Sequence, residues 1–180
     1  MLNILNKFFG SKSERDRKEL SPVIDKVNAE YVKLESLTND ELRAKTTYFK
    51  ERIAEHLKSI ETEINELEQK AESDFDMDLQ EKEDIYRKVD QLKKDRNKQI
   101  EEILNELLPE AFAVVKETAK RFAQSSELTA TANQLDRDLA ARKDNVRIEG
   151  DMAVYSNEWL AAGNLVKDRK STRLNSSHRT

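Results

Sequence analysis

The sequence predicts a mainly α-helical chain, and three observations carry that prediction. Three Gly and two Pro among 180 residues fall far below the roughly 12% of an average chain, leaving few turns for a sandwich, a barrel or a many-stranded α/β domain. Charged residues reach 38% and the apolar set only 37%, which suits narrow apolar stripes on long helices better than a thick core. One stretch also keeps apolar residues at alternating three- and four-residue spacing over roughly thirty positions, the signature of a coiled-coil seam.

The elements follow in order. Leu2, Leu5, Phe8 and Phe9 share one helical face, with Ile4 beside them and Lys7 and Lys12 at the edge; this predicts a short amphipathic helix over 2–9 that Gly10 ends. Ser13 is a candidate cap for the next helix, with Glu14 and Asp16 suited to its positive end. Ser21-Pro22 predicts a kink or restart, after which Val23, Ile24, Val27 and Tyr31 carry an apolar stripe to about Leu34.

Thr38-Asn-Asp-Glu41 reads as a capping box. Beyond it run Leu42, Thr46, Phe49, Ile53, Leu57, Ile60, Ile64, Leu67 and Ala71. An acidic turn, Ser73-Asp-Phe-Asp-Met-Asp78, leads to a second seam of Ile85, Val89, Leu92, Ile100, Ile103 and Leu107. Two such seams joined by a short turn predict a long antiparallel helical hairpin. The pairs Glu83–Arg87, Asp84–Lys88 and Asp90–Lys94 stand four apart, as helix-surface ion pairs require.

Pro109 suits the first turn of a new helix, whose Phe112, Val115, Ala119 and Phe122 form an apolar face in need of a partner. A short helix is expected near Asn133 to Arg142. Val146 to Tyr155 alternates about Gly150-Asp151, which predicts a tight hairpin pairing Ile148 with Ala153 and Val146 with Tyr155. This is the one β-element expected.

Composition excludes several chemistries. With no cysteine, there is no disulfide, thiolate zinc site or cysteine nucleophile. The two histidines, His56 and His178, furnish neither a triad nor a multi-histidine metal site, and His56 reads as a surface residue. Asp74, Asp76 and Asp78 open like a calcium loop, but Leu79 stands where that loop needs Gly and Ile85 where it needs a bidentate Glu. The glycines, Gly10, Gly150 and Gly163, are too scattered for a phosphate-cradling loop. The longest apolar run, Ala111 to Val115, is far short of a membrane span. A soluble cytoplasmic chain is expected.

Residues Asp168 to His178 match, codon for codon, the translation of a common sequencing-library adapter. The expectation is that the biological sequence stops at or before Lys167. Setting aside Asp168 to Thr180 removes four basic residues from 32 and one acidic residue from 36, leaving 28 and 35. So acidic a chain is a poor nucleic-acid binder, and no nucleic-acid partner is expected.

At Phe9-Gly-Ser-Lys12, Arg15-Asp16, Leu37-Thr-Asn-Asp-Glu-Leu-Arg-Ala-Lys-Thr46 and Leu107-Leu-Pro-Glu-Ala-Phe-Ala-Val-Val115, the chain resembles the N-terminal part of the SecA family. Residues 126–164, with Arg137-Asp-Leu-Ala140 and Trp159-Leu-Ala-Ala-Gly-Asn164, are similar to an insertion found in one subgroup of that family, and 54–106 resemble a helical insertion of the same subgroup. The resemblance covers residues 1 to about 164.

What it implies is an ATP-driven motor, with an α/β P-loop core, that pushes preproteins through the SecY channel and works peripherally on the inner face of the cell membrane. ATP and magnesium would be cofactors of the parent, which could also be a homodimer. The family's nucleotide-binding motifs have no counterpart here, so the fragment itself is expected to hold no cofactor, catalytic residue or metal. The implied division is a membrane- and channel-contact helix at 1–12, N-terminal helices at 13–53, a hairpin insertion at 54–106, the start of the motor domain with a second insertion at 107–164, and a junction with the adapter-like tail at 165–180. By the same resemblance Leu2, Leu5, Lys7, Phe8, Phe9 and Lys12 would contact anionic lipid and the channel. The residues alone leave one alternative, a stand-alone coiled-coil scaffold or adaptor built on the hairpin.

Overall fold

The computed structural model describes residues 12–161 and 164–167. Four helices, α1 (Lys12–Leu34), α2 (Asn39–Ser73), α3 (Leu79–Gln124) and α4 (Gln134–Ala140), dominate it. Five short strands accompany them: β1 (Glu127–Thr131), β2 (Val146–Glu149), β3 (Met152–Ser156), β4 (Glu158–Ala161) and β5 (Asn164–Lys167). The mainly α fold class is as the composition predicts. The amphipathic helix expected over 2–9 lies outside the described residues.

The chain divides into two compact units, Lys45–Pro109 and the combination of Met1–Ala44 with Glu110–Thr180. The first is the helical hairpin. Leu57, Ile60, Ile64 and Ala71 of α2 bury with Ile85 and Val89 of α3, and Ile53, Leu67, Met77, Leu92 and Ile100 pack around them. Antiparallel pairing is also written in the ion pairs. Lys70–Glu81 (2.9 Å), Glu63–Lys88 (2.7 Å) and Glu61–Arg96 (3.3 Å) step down α2 as they step up α3, ending at Arg52–Glu106. Lys93–Glu68 (2.7 Å) bridges the same two helices out of that order; each exposed pair is worth about 0–1 kcal/mol, so the apolar seam holds the hairpin. Of the pairs expected along α3, Glu83–Arg87 forms at 2.8 Å. Asp84 instead takes Arg87, and Lys88 crosses to Glu63, because the facing helix offers a carboxylate just as near. Thr46, placed on the seam by spacing, is exposed.

In the second unit α1 meets the ends of α2 and α3. Leu34, Leu42 and Ala113 are buried together, with Val27, Tyr31, Leu37 and Val114 against them. The capping box forms as predicted. The Glu41 N–H donates to Thr38 Oγ1 at 3.2 Å, and the Thr38 N–H donates to Glu41 Oε2 at 2.7 Å.

The breaks expected at Ser13 and Pro109 are not found, and of the kink or restart expected at Pro22 the restart does not occur. α1 already begins at Lys12 and runs through Pro22, so Ser13 is not its cap and Pro22 does not restart it. Pro109 lies well inside α3 instead of opening a new helix. Each proline forfeits one backbone hydrogen bond, a cost of about 3 kcal/mol. Burial on either side outweighs it: Ile103, Leu107 and Ala113 flank Pro109 and are 1%, 6% and 0% exposed.

The predicted hairpin forms in the expected register, Val146 opposite Tyr155 and Ile148 opposite Ala153. Gly150 supplies a φ of +60° at its turn, which a residue with Cβ rarely adopts. It is not the only β-structure. β1 pairs with the other edge of β3, giving an antiparallel sheet of order β1-β3-β2, and β4 pairs with β5 in a separate ribbon. Glu127-Leu-Thr-Ala-Thr131 does alternate, with Ala130 turned inward and Thr129 outward, but five residues are too few to stand out beside a helix C-terminus. The short helix expected near 133–142 is α4, capped by Asn133.

Candidate functional site

Two arginines organise the second unit, and both reach far along the sequence. Arg43, at the start of α2, grips Asp136 with two parallel hydrogen bonds, Nη1 to Oδ2 at 2.8 Å and Nη2 to Oδ1 at 2.9 Å. It also donates to the Thr131 carbonyl at 2.9 Å and to the Tyr155 hydroxyl at 3.3 Å. Asp136 is simultaneously the third residue of α4. Its Oδ2 accepts the Asn133 N–H at 2.8 Å while its own N–H donates to Asn133 Oδ1 at 3.1 Å, closing a capping box. The Tyr155 hydroxyl donates to Oδ1. One carboxylate thus joins α2, α4 and β3.

Electrostatics follow from this geometry. Burial raises the Asp136 pKa, but donors from Tyr155, Asn133 and Arg43 outweigh it and hold the carboxyl below its ordinary value. The Tyr155 hydroxyl is pushed up to about 12 by burial and by its bond to the Asp136 carboxylate. A second seam reinforces the junction. Asp40 accepts from the Thr131 hydroxyl and N–H, both at 2.8 Å, and these bonds lower its pKa. Asn39 Nδ2 donates to the Thr129 carbonyl at 2.8 Å.

Arg121, on α3, does the same for the helical side. Its guanidinium donates to Glu117 Oε1 (2.8 Å), Asn39 Oδ1 (2.8 Å) and the carbonyls of Leu37 (2.7 Å) and Leu34 (3.3 Å). It therefore closes the C-terminus of α1, where carbonyls have no intrahelical donor. Lys120 bonds Glu35 at 2.8 Å and lies 5.3 Å from the Tyr31 ring centroid. Apart from Glu117, four residues from Arg121, the partners of the two arginines stand 82 to 112 residues away, so local spacing does not reveal the clamps.

These clamps tie side chains and carbonyls of the chain to one another. Gly150 is used by the β-hairpin, and among the described residues no group of three or more His, Asp or Glu side chains is placed to share a metal ion. At the acidic turn, Asp74 and Asp78 instead accept the N–H groups of Asp76 and Gln80, and Ile85 is buried in the hairpin core. His56 is exposed. No described helix is long and apolar enough to cross a membrane.

Of the residues expected to touch lipid and channel, Leu2, Leu5, Lys7, Phe8 and Phe9 lie outside the described residues; Lys12 is the exposed first residue of α1. The apolar face expected after Pro109 proves to be split. Ala113 and Val114 point into the core, whereas Phe112 and Val115 are 60% and 67% exposed. Leu20 and Ile24 of α1 are about half exposed too. A considerable apolar surface is uncovered.

A family profile described as the SecA DEAD-like domain matches residues 5–147. The chain belongs to the SecA family. It is 48% identical over 160 residues to the protein translocase subunit SecA of Parabacteroides distasonis, covering 89% of this chain and 14% of that relative. Identity is 45% over 160 residues to the SecA of Porphyromonas gingivalis, with the same coverage. Against that of Cytophaga hutchinsonii it is 44% over 163 residues, 91% of this chain and 15% of the relative. The chain thus spans about one seventh of the length of the SecA relatives it matches. No solved structure matches it.

Proposed function

We propose that this chain is the N-terminal part of a SecA-type translocase that couples ATP hydrolysis to preprotein export through a SecY-type channel. ATP and magnesium act in the parent, at motifs C-terminal to this stretch, which alone hydrolyses nothing. Its role is to lead into the motor domain. The helix at 1–12 touches anionic lipid and channel through Leu2, Leu5, Lys7, Phe8, Phe9 and Lys12, which places the parent peripherally on the inner face of the membrane. Residues 54–106 and 126–164 are insertions carried on that lead-in, with 13–53 as N-terminal helices and 165–180 as junction and adapter-like tail.

The family match, at about one seventh of the relatives' length, carries this reading. The uncovered Phe112 and Val115 agree with it, because full burial of such side chains is worth about 1.5–3 kcal/mol each and the following motor domain would cover them. The test is to express the whole reading frame with and without residues 1–164 and assay ATP-driven export of a preprotein into SecY-containing membrane vesicles. Export that needs these residues, with no ATP hydrolysis by 1–180 alone, is the expected result. An equally active truncated protein would overturn the proposal.

A further inference from the structure

At the tip of the hairpin, Phe75 is 94% exposed and Leu79 is 80% exposed, while Met77 between them turns inward against the core. An aromatic ring left so completely in water is unusual even on a surface that is mostly apolar by area. Charge surrounds it. Residues 72–84 hold seven carboxylates and one lysine. Glu81, Glu83 and Asp84 are neutralised in part by Lys70 and Arg87, whereas Glu72, Asp74, Asp76 and Asp78 have no basic partner among the described residues.

We infer that the hairpin tip is a docking site for a basic polypeptide segment bearing an apolar side chain, with Phe75 and Leu79 as anchors and the carboxylates of 72–78 as the charged rim. Charge complementarity selects this occupant. An anionic lipid surface and a nucleic acid are repelled by the rim, and so is the same tip of a second copy. A basic segment is attracted, and its apolar side chain covers the two that water now surrounds. The geometry suits this use, because the tip closes the end of the hairpin opposite residues 45 and 109, where the unit joins the remainder of the chain. The inference is independent of the translocase reading.

Two fluorescein-labelled 16-residue synthetic peptides of equal charge test it, one of lysine and leucine, the other of lysine and glutamine. Each is titrated with the full 180-residue chain and followed by anisotropy at low salt. The lysine–leucine peptide is expected to bind about tenfold tighter, as burial of large apolar side chains implies. The Phe75→Ser/Leu79→Ser variant should reduce it to the level of the lysine–glutamine peptide, and Asp74→Asn/Asp76→Asn/Asp78→Asn should weaken both. Charge removal on the middle of the hairpin, Glu51→Gln/Glu55→Gln/Glu66→Gln, should leave the preference intact. All these side chains are exposed, and circular dichroism checks that each variant keeps its helix. Four results would overturn the inference: no binding of either peptide, no change in the Phe75/Leu79 variant, equal loss in the mid-hairpin variant, or Phe75-dependent binding to phosphatidylcholine vesicles in preference to the peptide.

Discussion

Arg43 and Asp136, separated by 93 residues, meet in a two-pronged pair whose carboxylate side chain is only 1% exposed. The pair fastens the first turn of α2 to the cap of α4. A buried carboxylate stripped of its cation is costly, by about 3–5 kcal/mol. Because the Arg43 side chain is 32% exposed, the lower end of that range applies. Arg43→Ala is expected to destabilise the chain by about 3 kcal/mol in urea unfolding. Arg43→Ala/Asp136→Asn should recover part of the loss, since a neutral amide is less costly to bury unpaired.

Acid should weaken the same junction. The folded pKa values of Asp136 and Asp40 lie below their ordinary value of 3.8. Their contribution is therefore complete above that value and is lost as pH falls through the lower folded values. Circular dichroism against pH should show stability falling below about pH 4, with Asp136→Asn flattening the fall.

Alkali acts through Tyr155, whose pKa is raised from 10.0 to about 12. The neutral phenol's contribution is present in full below pH 10 and disappears as pH rises toward 12. Absorbance at 295 nm should show Tyr155 ionising late. Tyr155→Phe should remove the late phase.

Arg121 closes the end of α1 and pairs with Glu117, which is 4% exposed. Arg121→Ala should cost about 3 kcal/mol. Arg121→Lys should rescue little of it, because an ammonium cannot reproduce the fork that spans Glu117, Asn39 and Leu37. Thermal melts of the three proteins check this.

The periodic and local features of this fold were legible in the sequence. The seam from Ile53 to Ala71 and its partner from Ile85 to Ile100 carry their own spacing, Thr38 and Glu41 sit three apart, and Gly150 marks its turn. The clamps were not legible, because nothing near Arg43 or Arg121 points to Asp136, Tyr155 or Asn39. Pro109 misled because a local preference for helix starts yields to burial of Ile103, Leu107 and Ala113 around it. The stripe after it was ambiguous for a different reason. Ala111-Phe-Ala-Val-Val115 is apolar all round, so periodicity cannot choose between a buried Ala113 and a buried Phe112. The residues expected to contact lipid, save Lys12, fall outside the described structure, and their role rests on the resemblance.

The exposed half of that stripe gives a further expectation. Phe112→Ser/Val115→Ser should leave the melting temperature of this 180-residue chain unchanged and improve its solubility, because neither side chain is covered. In the full reading frame the same pair should lower stability by several kcal/mol, as large-to-small changes in a core do. Differential scanning calorimetry of both lengths makes the comparison.

The central claim, that this chain leads into a translocase motor, is tested most directly by reading the source DNA across the codon for Lys167 and beyond. The account predicts that the frame continues into a glutamine followed by a glycine-rich loop ending in Gly-Lys-Thr, with Asp168 to Thr180 absent. Genomic DNA that encodes Asp168 to Thr180 and then stops would contradict it.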